Sequence, residues 1–121
     1  MQLTMIKHNW TDDNSGPSIR LERLEADIRQ ILRKTDQVKL ERKYREALSG
    51  LGQNLADIRI YVNAYEFSEE RQEQIDNAKT AKKWLGRARQ NILKASEANV
   101  FGAADTAQLT AQIDQLKAGL R

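Results

Sequence analysis

Residues 44–65 read YREALSGLGQNLADIRIYVNAY and residues 78–99 read AKTAKKWLGRARQNILKASEAN. In the first stretch Tyr44, Leu48, Leu51, Leu55, Ile58, Val62 and Tyr65 recur at alternating steps of four and three. In the second, Ala78, Ala81, Leu85, Ala88, Ile92, Ala95 and Asn99 alternate between three and four. At 100° per residue these steps hold each set on one side of an α-helix. Two matched stripes joined by a short interval predict a pair of long helices packed antiparallel.

The same spacing continues outward in shorter runs. Leu21, Leu24, Ile28, Ile31, Thr35 and Val38 form one, and Leu109, Ile113, Leu116 and Leu120 form the other. After Ser18 there is no proline, and Leu, Ala, Glu, Lys, Arg and Gln dominate, all good helix formers. No long stretch alternates with period two, which argues against a sheet. The expected class is all-α: an antiparallel hairpin with two shorter flanking helices, forming a four-helix bundle at one end. Residues 1–17 read as an N-terminal arm and residues 18–121 as a single helical-bundle domain. The run Thr11 to Pro17 is turn-forming, with Pro17 suited to a helix's first turn.

Helix ends follow from capping residues. The first two stripes are out of phase between Val38 and Tyr44, which leaves two readings. Either the chain turns near Lys34-Thr35-Asp36, with Thr35 or Asp36 as N-cap, or one helix continues with a displaced seam. The turn is preferred. The second helix is then expected over Gln37–Glu66, passing through Gly50 and Gly52 in phase. Ser68 is expected to cap a third helix reaching Phe101, with Gly102 closing it. Asp105 and Gln108 suit a capping box for a last helix ending near Ala118.

Composition excludes several chemistries. The 121 residues contain no cysteine and one histidine, His8, so disulfides, thiolate catalysis and multi-histidine metal sites are ruled out. No glycine-rich phosphate loop or nucleophile elbow occurs. The acid pairs Asp12-Asp13 and Glu69-Glu70 lack the further ligands of a calcium loop. No catalytic, cofactor-binding or metal-binding residue is therefore assigned, and a non-enzymatic protein is expected. No apolar run is long enough to span a bilayer, and Met1–Trp10 lacks a basic leader and a long apolar core, so a cytoplasmic location is expected.

Two surfaces are candidates for binding. If both short helices pack at the end away from the hairpin turn, the turn end projects as two helices alone, with an unburied stripe. Leu55, Ile58, Tyr61, Val62, Tyr65 and Phe67 lie there, with Ile60 and Ile75 beside them. These residues are expected to bury against a second copy or a helical protein partner, as aromatic anchors do at interfaces. Charged replacements of Ile58 and Val62 should then separate a dimer and leave helicity intact. The alternative is that the short helices, or residues 1–17, fold back over the turn. The second surface is basic. The net charge is only +3, yet residues 69–78 carry four acids and one base, and residues 79–94 carry six bases and no acid. Lys79, Lys83, Arg87, Gln90 and Lys94 share an arc of about 80° on a helix. Such a row could follow the phosphates of a nucleic acid, and its bland reading is a solvated face completing the helix dipole. The leading expectation is a homodimeric adaptor or regulatory protein that binds through coiled-coil-like seams. The alternative is a nucleic-acid-associated regulator using residues 79–94.

Overall fold

The computed structural model describes residues 16–121, which form four α-helices and no strand. They are α1 (Pro17–Arg33), α2 (Arg42–Phe67), α3 (Arg71–Ser96) and α4 (Ala103–Gly119), with a 3-10 turn at Gln37–Lys39 between α1 and α2. All but the last two residues of the expected N-terminal arm, including His8, Trp10 and Asp12-Asp13, lie outside the described residues. The two long helices have 26 residues each and are ~39 Å long, and the two short ones have 17 and are ~26 Å long.

The chain does turn after α1. Thr35 returns its hydroxyl to the Ile31 carbonyl at 3.1 Å, and the Asp36 carboxylate accepts from the Val38 N–H at 3.2 Å. That cap opens only one 3-10 turn, so α2 starts at Arg42 and not at Gln37. Ser68 ends α2 and does not cap α3. Its hydroxyl donates to the Ala64 carbonyl at 2.6 Å and accepts from Asn77 Nδ2 at 3.2 Å. α3 stops at Ser96, and Asn99 reverses the chain with a φ of 61°, one of the few side chains that tolerate that region. Gly102 precedes α4 as its N-cap residue and does not close α3. Asp105 lies inside the first turn of α4, so the expected capping box does not form.

The stripes become the core except at their ends, where Val38 is 82% exposed and Asn99 is exposed in the turn after α3. Leu48, Leu51, Leu55, Ile58 and Val62 of α2 meet Ala78, Ala81, Leu85, Ala88, Ile92 and Ala95 of α3, all buried. The alanines make this the tightest pairing, because interaxial distance follows side-chain size at the contact. α1 adds Leu21, Leu24 and Ile28, and α4 adds Leu109, Ile113 and Leu116. Phe101 and Leu120 close the core on either side of α4.

The short helices do not leave the hairpin turn bare. Ser18, at the start of α1, donates its backbone N–H to Glu66 Oε2 at 3.1 Å and its hydroxyl to Glu66 Oε1. Glu25 pairs with Arg59 farther along. α1 therefore starts at the turn and runs antiparallel beside the second half of α2, away from it. The Tyr65 hydroxyl bonds the Arg121 carbonyl at 3.4 Å, which brings the C-terminus to the same region. The expectation of a projecting turn is thus corrected. It assumed tight connections, whereas residues 34–41 are long enough to carry the chain from mid-hairpin back to the start of α2. α4 lies antiparallel to α3, with Arg89 3.9 Å from Asp114. It closes on α1 through Gln108 and Gln112, which donate to Asp27 at 3.3 and 2.8 Å, and through Arg20, which donates to the Gln115 carbonyl at 3.3 Å. Each helix opposes the next, which is up-down-up-down bundle topology. Among the described residues no helix is long and apolar enough to cross a membrane.

Candidate functional site

The six residues expected to bind a partner separate into two groups. Leu55, Ile58 and Val62 are buried within the chain, at 9%, 0% and 0% exposure, so they are not available to a second protein. The expectation of a bare turn fails for them because α1 lies along this half of α2, held by Ser18 to Glu66 and Glu25 to Arg59. Tyr61 and Tyr65 are half-buried against the same core. Phe67 is 83% exposed. Ile60 is 60% exposed, two residues out of phase with the buried stripe and therefore on the opposite side of α2. Phe67 follows it by seven residues and falls on the same side. Ile19 and Ile75 are also partly exposed.

The basic row stands on the solvent side of α3. Lys79, Lys83, Arg87 and Gln90 are exposed. Lys83 and Arg87 flank the half-buried Trp84, with their charged groups 5.3 and 5.6 Å from its ring centre. This suits a residue read as sitting at the core edge, since indole faces attract cations. Lys94 is drawn out of the row: it is half-buried, 3.5 Å from Glu97 and 5.9 Å from the Tyr44 ring centre. Among the described residues Lys79, Lys83 and Arg87 make no ion pair with a carboxylate. The unpaired row is thus three cations at four-residue spacing, each ~6 Å farther along the axis.

A cleft of about 580 Å³ opens between the end of α1 and the start of α4, lined by Asp27, Lys34, Thr35, Asn99, Gly102 and Asp105 among others. Asp27 is already held by the Gln108 and Gln112 amides. The Thr35 hydroxyl in this lining is turned to the Ile31 carbonyl. Among the described residues no group of three or more His, Asp or Glu side chains is placed to hold a metal ion.

Buried polar side chains instead fix how the helices meet. Asn91 Nδ2 donates to the buried Asn54 at 2.7 Å, and Gly50 lies against Asn91, where a methyl group would come within 3.0 Å of that amide. Gly50 marks close helix approach, whereas Gly52 has nothing within 4 Å. Comparison with known protein families, curated proteins and solved structures finds no match to this chain.

Proposed function

We propose that this chain is a non-enzymatic cytoplasmic interaction protein, an adaptor or regulator that self-associates through a helix face. The observation that carries the reading is the pair Ile60 and Phe67, 60% and 83% exposed, one heptad apart on the solvent side of α2. Large apolar side chains aligned along a rigid helix are what a partner helix or surface buries, and each contributes ~1.5–3 kcal/mol when fully covered. Of the six residues expected at the turn, Phe67 alone is exposed and carries this reading with Ile60, because Leu55, Ile58 and Val62 are buried within the chain.

Sedimentation velocity across a concentration series tests it. The expected result is a reversible dimer at about 100 µM, a concentration at which even a ~10 µM dissociation constant leaves most chains paired. A single monomeric species throughout the series contradicts the reading.

The unpaired Lys79, Lys83 and Arg87 favour a second reading, attachment to a polyanion such as nucleic acid along α3. Binding to duplex or single-stranded DNA should weaken steeply with salt, and should fall when Lys83→Glu and Arg87→Glu are combined. Absence of binding at low salt removes this reading.

A further inference from the structure

We propose that the solvent face of α2 is a two-fold self-association surface on which two copies of this chain lie antiparallel. The proposal rests on the self-association reading above and specifies its surface and geometry. Taken at 100° per residue, an exposed arc of α2 carries Ser49, Gly52, Ala56, Ile60, Asn63 and Phe67, bordered on the α1 side by Arg59 and by Asn63, which accepts from the Ser18 hydroxyl at 3.4 Å. All six are exposed, and none is charged. In a chain that is 31% charged, an exposed face running ~27 Å without a charge is a distinctive feature of the fold. Its composition is that of an interface centre: two large apolar side chains, and small residues that let another backbone approach. Gly52 fits this, since among the described residues no other part of the chain lies within 4 Å of where its side chain would stand.

Charge sets the direction. At the start of the face exposed Glu41, Arg42, Lys43, Arg45 and Glu46 sum to +1, and at its end exposed Glu66, Glu69, Glu70, Arg71 and Glu73 sum to −3. Arg42 holds Glu46 at 3.0 Å, and Arg45 makes no ion pair among the described residues. Parallel copies would set arginine against arginine and glutamate against glutamate. Antiparallel copies bring each basic end to the other copy's acidic end, so complementary rims flank an uncharged centre. With the two-fold axis level with Ile58, Ser49 faces Phe67 of the second copy and Ala56 faces its Ile60. Phe67 then lies over small side chains, which give it room.

Sedimentation of the full chain and three variants tests this. Ile60 points into solvent, so Ile60→Arg should leave circular dichroism and thermal stability unchanged while raising the dimer dissociation constant about tenfold or more. The pair Arg42→Glu with Arg45→Glu should weaken self-association, as should Glu69→Lys with Glu70→Lys, and an equimolar mixture of these two variants should restore it. Added salt should weaken the wild-type dimer. A wild-type dimer unaffected by Ile60→Arg, or one that salt strengthens, overturns this surface and direction and leaves the self-association reading standing. A wild-type chain that stays monomeric overturns both, and passes the α2 face to residues 1–15 or to a different protein.

Discussion

Glu66 shows how a single side chain can serve a helix other than its own. It sits at the C-terminal end of α2, where the helix dipole disfavours a carboxylate, and it caps the start of α1, where the dipole favours one. Gly16 offers α1 no side-chain cap of its own. Glu66→Ala should therefore cost about 0.5–2 kcal/mol in urea unfolding, the range for loss of an N-cap. Adding Ser18→Ala should cost less than its separate effect, because both changes remove the same contact. The two glycines of α2 make a second contrast. Gly52→Ala has open space and should stabilise the monomer by up to about 1 kcal/mol through helix propensity. Gly50→Ala gains the same propensity but presses a methyl group toward Asn91, whose amide serves buried Asn54. Its melting temperature should not rise. Sequence spacing put both glycines in one helix and could not tell them apart, since the distinction lies on α3.

At the scale of elements, the seam of α2 decides what a core substitution reports. Ile58 is fully buried in the core that the four helices share, so a charged replacement unfolds the bundle and does not merely separate copies. Ile58→Ala alone should cost about 2–5 kcal/mol in urea unfolding, and Ile58→Asp should abolish the cooperative transition in circular dichroism. The four helices and their buried stripes were legible because period and phase are properties of the chain itself. Their ends were less so, because Ser68, Gly102 and Asp105 suit more than one position around a helix break, and tertiary partners such as Asn77 chose among them. The placement of the short helices was not legible at all. It depends on how far residues 34–41 carry the chain, and the bond from Ser18 to Glu66 spans 48 positions. The basic row was legible as an arc, but its last member was not, since Lys94 is claimed by Glu97 at the end of the same helix.

At the scale of the whole molecule, the bundle is a closed ring in which no short helix is dispensable. α4 and the chain end bury Leu109, Ile113, Leu116 and Leu120, at 0–1% exposure. They also supply the Gln108 and Gln112 amides that hold Asp27 of α1. At ~1.5–3 kcal/mol per side chain, that burial is comparable with the ~5–15 kcal/mol total stability of a small domain. The α2–α3 hairpin is local in sequence and tightly packed by its alanines, yet it shares one continuous core with Leu109, Ile113 and Leu116, which is opened once α4 is gone. A chain ending at Gly102 should therefore keep part of its far-ultraviolet helical signal, because the hairpin stripe remains. It should lose the near-ultraviolet signal of Trp84 and Tyr44 and the sharp urea transition, the signature of packing lost before helix. If the shortened chain still unfolded in one sharp step, α2 and α3 would be a self-sufficient unit, and α1 and α4 would be free to serve as detachable covers.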